Sequence, residues 1–246
     1  MQSTAAIILA AGKGTRMKSD LAKVLHKISG EPMIRYVVEA ALNVIDEVLV
    51  VIGHQAEVVK EVLGTYENLR FVVQKEQLGT GHAVLTALPA LPSHITDVVI
   101  LCGDTPLIRP ATLEELLNTH NEGSRPLTIL ATELKNPSGY GRIVLNSQGD
   151  VLSIVEEADA TEKEKQINLV NTGAYCINTG FLKKWLPDLT SDNAQGEFYL
   201  TDVVARSYQE GVPATIVNAS NSKEVLGVNT IDDLTIAEKL ISQSTG

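Results

Sequence analysis

The sequence predicts an α/β fold with a mixed, mostly parallel sheet flanked by helices. Two observations carry this. Short apolar runs rich in Val, Ile and Leu alternate with longer amphipathic segments, the pattern of strands buried on both faces and joined by crossover helices. The stretch "RIVLNSQGDVLSIVEE" departs from it, because two strand-like runs flank the turn-forming residues Ser147, Gln148, Gly149 and Asp150. Such a hairpin introduces an antiparallel pair.

In chain order, short runs rich in β-branched residues predict strands at Ala5–Leu9, Glu47–Ile52, Arg70–Val73 and Val98–Cys102. Amphipathic segments between them predict helices at Met33–Val44, Gln55–Leu63 and Gly81–Leu88, so the first half reads as regular β/α units. A helix at Ala111–Asn121 leads into the second half. There strands are expected at Leu127–Glu133, Arg142–Leu145, Val151–Glu156, Leu169–Ile177 and Ala214–Val217, with helices at Gly180–Leu186, Leu200–Glu210 and Thr230–Ser242. No internal repeat, low-complexity segment or Pro/Ser/Gly-rich linker divides residues 1–246, so one domain is expected.

With 246 residues, 44% of them hydrophobic, the chain can bury a sizeable core. Its net charge of -10 opposes general binding to nucleic acid or to a membrane surface, since both are polyanions. Local charge runs the other way: residues 1–30 hold Lys13, Arg16, Lys18, Lys23 and Lys27 against the single acid Asp20. Cys102 and Cys176 lie in apolar strand-like runs and not at metal-ligand spacing, so they read as free buried thiols in a reducing compartment. The apolar stretch in "MQSTAAIILAAGKG" is too short for a signal peptide, and no run approaches the roughly 20 apolar residues that span a bilayer. A cytoplasmic protein is expected; oligomeric state, a homo-oligomer included, stays open.

The segment "LAAGKGTRMKSDLAKVLHK" follows the first strand and is expected to lead into a helix, at the sheet edge where α/β proteins bind ligands. Gly12 and Gly14 permit backbone conformations closed to other residues and a close approach of main-chain N–H groups to an anion. The loop lacks the Gly-Lys-Ser/Thr ending of Walker A, and Met17 stands where the dinucleotide fingerprint needs its third glycine. The second strand ends "VLVVIGHQ", without the acid that would hold a ribose of NAD. Arg16 can engage phosphate oxygens bidentately and Lys23 can act as a point charge, which suits a polyphosphate. A tight turn with solvated lysines is the alternative.

"LCGDTPLI" brings Asp104 to the end of another buried strand. Mg²⁺ takes one or two protein oxygens together with substrate phosphates, and a lone Asp there fits; an Asp capping the next helix fits equally. His82 reads as a helix-start residue, and "NAQGEFYLTD" as a segment that caps the helix after it.

The motifs "LAAGKGTRM", "AKVLH", "QLGTGHA", "GDTPLI", "GYGRI", "IVEEADAT", "NTGAY", "NAQGEFYLTD" and "GVNT" occur in the order found in one family. Over almost its entire length the chain resembles the N-acetylglucosamine-1-phosphate uridyltransferase domain of bacterial GlmU. The resemblance implies a Rossmann-like nucleotide-diphospho-sugar transferase fold. It implies a nucleotide site formed by Leu9, Ala10, Ala11, Gly12, Gly14, Lys23, Cys102 and Gly103, with Arg16 and Lys23 on the triphosphate and Gln74, Gly79 and Thr80 on the uracil. It further implies Mg²⁺ on Asp104 and Asn229, and a sugar phosphate held by Gly141, Glu156, Asn171 and Asn229. Arg16, Lys23 and Asp104 are then the catalytic set.

Residue chemistry agrees with this. A Gln amide offers a donor and an acceptor to a uracil edge, and Gly79 and Gly81 leave room for a flat base. Cys102, Ala22 and Ile231 stand where relatives commonly carry Tyr, Pro and Arg, which bears on substrate preference. No hexapeptide-repeat segment is present, so the sequence gives no basis for acetyl transfer. The expected reaction is uridylyl transfer from UTP to N-acetylglucosamine 1-phosphate, giving the UDP-sugar used in peptidoglycan and lipopolysaccharide precursors. Two alternatives are a nucleotidyltransferase acting on another sugar 1-phosphate and a non-catalytic nucleotide-sugar-binding protein.

Overall fold

The computed structural model describes residues 3–244. Strands β1 (Thr4–Ala10), β4 (Glu47–Ile52), β5 (Leu69–Val73) and β6 (Asp97–Cys102) form from the expected apolar runs, with β2 (Lys27–Ile28) and β3 (Glu31–Pro32) pairing separately as a small hairpin. Helices α1 (Met33–Leu42), α2 (Ala56–Leu63), α3 (Thr80–Ala87) and α4 (Pro110–Glu122) connect them. The second half adds β7 (Leu127–Glu133), β8 (Arg142–Leu145), β9 (Val151–Val155), β10 (Leu169–Asn178), α5 (Thr179–Trp185), α6 (Asp202–Gln209), β11 (Thr215–Asn218) and α7 (Ile231–Ser244).

The main sheet runs β11-β7-β10-β6-β1-β4-β5, with β8 and β9 appended through β10. β10 is antiparallel to both β6 and β7, while the β11/β7, β6/β1, β1/β4 and β4/β5 pairings are parallel. The mixed, mostly parallel sheet is therefore as expected, and β8 and β9 form the expected antiparallel hairpin. Asn146 Oδ1 closes its turn by accepting from the N–H groups of Gln148 and Asp150 at 2.9 and 2.8 Å.

Alternation along the strands sets the layers. Ile7, Val98 and Ile100 face one way, against Ala83 and Val84 of α3, Leu182 of α5 and Val203 of α6. Ile8, Val99 and Leu101 face the other way, against Val37 and Val38 of α1, Val59 of α2 and Leu113 of α4. Each such fully buried aliphatic side chain contributes roughly 1.5–3 kcal/mol relative to exposure. Because the chain runs from β1 outward through β4 to β5 and then crosses back to place β6 on the other side of β1, a crevice opens at the carboxyl ends of β1 and β6.

Beyond shifts of one to two residues at several element ends, the structure differs from the sequence reading at two places. The segment after β1 does not run into a helix: it makes single 3₁₀ turns at Thr15–Met17 and Lys23–Leu25 and then the β2/β3 hairpin before α1 begins. Ser29 and Gly30, at φ of 50° and 93°, supply the two left-handed residues of that hairpin's tight turn. Finally, α6 starts at Asp202, so Leu200 and Thr201 stay outside the helix.

Away from the crevice, at the opposite end of β6, a buried polar group ties three strands together. Asp97, 1% exposed, accepts from Thr96 Oγ1 at 2.7 Å and Asn178 Nδ2 at 3.3 Å. It also lies 3.3 Å from His120 Nε2, whose Nδ1 is 2.9 Å from Thr128 Oγ1. Burial alone would raise the carboxyl, but hydrogen bonds from His120, Thr96 and Asn178 outweigh it and hold the group below its usual range. A depressed carboxylate contributes stability above its unfolded value of about 3.9 and loses it as the pH falls through the folded value. Asp97→Ala is expected to cost roughly 3 kcal/mol near neutrality, because His120, Thr96 and Asn178 lose a buried partner. Urea unfolding from pH 7 to pH 3 should show that difference from wild type shrinking below about pH 4.

Candidate active site

The crevice holds two adjoining cavities that share Leu9, Thr80, Cys102 and Asp104 in their walls. The first, about 230 Å³, is bounded by Leu9 to Gly12 at the end of β1, by Lys23 and by Gln74, Gly79 and Ala83. The second, about 170 Å³, is bounded by Gly141, Glu156, Asn171, Thr201 and Asn229.

Where the two meet, four polar side chains from three chain segments converge. Lys23 Nζ pairs with Asp104 Oδ2 and donates to Asn229 Oδ1 at 3.0 Å, and Arg16 donates to the same Oδ1 at 2.8 Å. Asp104 does not cap α4, whose N-terminal boundary is Arg109 and Pro110. Its carbonyl instead accepts from Val228 N at 2.8 Å, which joins the end of β6 to the segment before α7. That segment is held by a reciprocal cap: Asp233 Oδ2 accepts from Asn229 N and Thr230 N, while Thr230 Oγ1 accepts from Asp233 N. Of the loop cations, Arg16 and Lys23 reach the cluster; Lys13, Lys18 and Lys27 are exposed elsewhere.

Lys23 owes its place to tight local packing. Gly14 has φ of +69°, and a Cβ there would lie 2.4 Å from Lys23 Cβ, so only glycine lets the loop close over the lysine stem. Ala22 N donates to Gln55 Oε1 at 2.8 Å, a bond that a proline at this position could not make. Gly12 has open space around it and needs no left-handed conformation. The room at Gly103 is closed by Leu9 O and Val24, and neither Gly103 nor Gly14 is among the cavity walls.

At the first cavity, Gln74 is 3% exposed and its Nε2 donates to Gly79 O at 3.2 Å and lies 3.0 Å from His82 Nδ1. Its donors are spent inside the protein, leaving Oε1 as the group able to meet a ligand. Gly79 and Gly81 make room for protein: a Cβ on either would collide with Phe198 backbone, at 2.6 Å or 3.0 Å from its carbonyl oxygen. Thr80 Oγ1 accepts from Leu200 N at 3.0 Å.

In the second cavity, Glu156 Oε1 accepts from Thr201 Oγ1 at 3.1 Å. Burial raises the Glu156 carboxyl above its usual range against that hydrogen bond, and Asp159, Asp202 and Glu197 add to the rise. The Thr201 hydroxyl thus serves the cavity and does not cap α6. Gly141 allows Glu156 to approach, since a Cβ would lie 2.9 Å from Ile154 and 3.4 Å from Glu156 Oε2. A bulge in β10 between Asn171 and Ala174, with Gly173 at φ +82°, turns Asn171 toward the cavity. Asn171 Nδ2 donates to Tyr175 Oη at 2.6 Å, and Oδ1 accepts from Gly173 N at 3.1 Å.

Cys102 is only half-buried and reaches both cavities, whereas Cys176 is buried as expected. Burial, reinforced by the Asp104 charge, pushes the Cys102 thiol up to about 12, so it stays neutral. Tyr140, Tyr175 and Thr201 also line the second cavity and were not singled out as ligands. The "GYG", "NTGAY" and "YLTD" motifs contained the signal.

The crevice lies at the switch point of a mostly parallel sheet, and two cations, a carboxylate and an amide converge in it, a set chemically suited to phosphate groups. The chain belongs to the MobA-like NTP transferase domain family, which it matches over residues 6–167. More particularly, it is similar to proteins named bifunctional protein GlmU. One from Geobacter metallireducens is 46% identical over 99% of this chain and 51% of its own length. Another, from Desulfotalea psychrophila, is 45% identical over 96% of this chain and 69% of its own. The chain spans about half the length of the first of these relatives. The likeness to GlmU read from the motifs therefore holds over nearly the whole chain. A solved structure titled as a putative glucose-1-phosphate thymidylyltransferase from Bacillus anthracis shares the fold, with a TM-score of 0.76 and 21% identity over 97% of this chain and 95% of that one.

Gly79, at φ +113° and pressed on Phe198 backbone, gives a direct test of this architecture. Gly79→Ala is expected to cost about 2 kcal/mol, from the strained backbone and the collision together. A fall in thermal midpoint would check it.

Proposed function

We propose that the chain is one nucleotidyltransferase unit that transfers a uridylyl group from UTP to the 1-phosphate of N-acetylglucosamine, giving UDP-N-acetylglucosamine and pyrophosphate. The observation that carries this is the convergence of Arg16, Lys23, Asp104 and Asn229 where the two cavities meet. One cavity, about 230 Å³, offers the Gln74 acceptor to a base; the other offers Glu156 and Asn171 to sugar hydroxyls and an acetamido group. The names of the GlmU relatives support the choice of reaction. A cytoplasmic setting agrees with two free thiols and with the absence, among the described residues, of a helix long and apolar enough to cross a membrane.

A phosphate oxygen of the sugar phosphate attacks the α-phosphorus of UTP, the bond to the bridging oxygen breaks, and pyrophosphate leaves with that electron pair. The attacking phosphate is largely ionised near neutrality, its second pKa being about 6, so no general base is required. The protein's task is to align two polyanions and offset their repulsion. Arg16 and Lys23 provide the fixed cations for the triphosphate.

The donor set also fits Mg²⁺. Asp104 and Asn229 aim oxygens at one point, where the Lys23 ammonium stands. Among the described residues no group of three or more His, Cys, Asp or Glu could cage a metal alone, which matches an ion that draws its remaining ligands from phosphates and water. When bound, Mg²⁺ would neutralise charge on the reacting phosphates.

Pyrophosphate release with UTP and N-acetylglucosamine 1-phosphate, run beside glucose 1-phosphate and the other three nucleotides, tests the assignment. Turnover confined to another acceptor would replace the sugar, and tight UDP-sugar binding without turnover would favour a binding protein. Asp104→Ala should abolish Mg²⁺-dependent release while the circular dichroism spectrum stays native. Arg16→Ala should cost about 2–4 kcal/mol in kcat/KM, by analogy with removing one preorganised donor; unchanged turnover would return Arg16 to a solvated loop.

A further inference from the structure

The base end of the crevice contains a side-chain pair that takes no part in phosphate or sugar chemistry. Gln74 Nε2 carries two hydrogens; one points at Gly79 O, 3.2 Å away, and His82 Nδ1 lies 3.0 Å from the same nitrogen. A carbonyl oxygen can only accept, so the second hydrogen is directed at Nδ1, which is then the unprotonated ring nitrogen, with the proton on Nε2. Turning the amide over would set Oε1 against the Gly79 oxygen, with no hydrogen between them.

The rest of the surroundings is equally fixed. Gln74 N donates to Ile52 O at 2.8 Å, and Gln77 Nε2 donates to Gln74 O at 3.0 Å. His82 sits in the first turn of α3 with its ring 6.5 Å from that of Phe198, and its own carbonyl accepts from Thr86 Oγ1 at 2.8 Å. Gln74 is thus buried with its donors consumed, and it presents an acceptor to the cavity it lines.

We propose that His82 is a positioning residue for nucleobase choice: by accepting from Gln74 Nε2 it locks the amide with Oε1 toward the cavity. An acceptor there pairs with the ring N–H of uracil. Cytosine presents an unprotonated nitrogen at the same place, and two acceptors face each other without a hydrogen between them. Selection of uracil over cytosine then depends on a residue that does not touch the base. The proposal rests on reading the 230 Å³ cavity as the base pocket of a nucleotidyltransferase.

The test compares kcat/KM for UTP and CTP in the wild type, in His82→Leu, which has no acceptor, and in His82→Asn, whose Oδ1 occupies the branch position of Nδ1. The wild type should favour UTP by at least about 100-fold, as a site built on a buried hydrogen bond does. His82→Leu should narrow that ratio about tenfold by raising the KM for UTP, leave the KM for the sugar phosphate within about twofold, and His82→Asn should restore most of the preference. A Leu variant as selective as wild type overturns the role of His82, and so does an Asn variant that restores nothing. A wild type that turns over UTP and CTP alike overturns the reading of the pocket itself, and the inference with it. Nitrogen-15 NMR of the free wild-type protein gives a check independent of any variant's folding: an Nδ1-protonated His82 tautomer also overturns the proposal.

Discussion

The pairing of Lys23 with Asp104, completed by Asn229, is the interaction on which the crevice depends. It joins the loop after β1, the end of β6 and the segment before α7, positions separated by 81 and 206 residues in sequence. The two charged side chains are 18% and 15% exposed, so both are partly stripped of water. Removing two ions from water costs about as much as their attraction returns. Such a pair adds little to net stability; its value lies in holding three chain segments, each bordering the crevice, at one point.

Everything around the pair follows from the need to present it. Gly14 and the Ala22–Gln55 bond bring the lysine in; the parallel register of β1 with β6 brings Asp104 beside it; the cap between Thr230 and Asp233 fixes Asn229. With Arg16 added, the cluster has one positive charge in excess, in a chain whose other residues are strongly acidic. Long-range repulsion keeps anions from the surface at large, while a local excess in a low-dielectric crevice attracts them.

The sheet was legible because strands buried on both faces must be uninterrupted apolar runs, and β4, β7 and β8 begin and end where the sequence says. The positions that bring the crevice residues together were legible only through motif order. What stayed hidden were features set by backbone conformation or by contacts distant in sequence. A two-residue strand pairing such as β2/β3 has no periodicity to read, although Ser29-Gly30 was a turn signal. The glycines at 79 and 81 looked like space for a base, because a sequence cannot say which atom fills the gap that a missing Cβ leaves. Phe198, 119 residues beyond Gly79, fills it here.

His82 and Thr201 illustrate the same point from the side of polar groups. Each stands next to a helix start, where local rules assign polar residues to capping. Each instead spends its polar atom on a side chain brought close by the fold, Gln74 in one case and Glu156 in the other. A buried amide or carboxylate cannot be left to choose its own partners without losing either stability or a defined orientation. His82, one contact behind the wall of the first cavity, and Thr201, within the wall of the second, therefore fix the side chains that set which atoms the two cavities display.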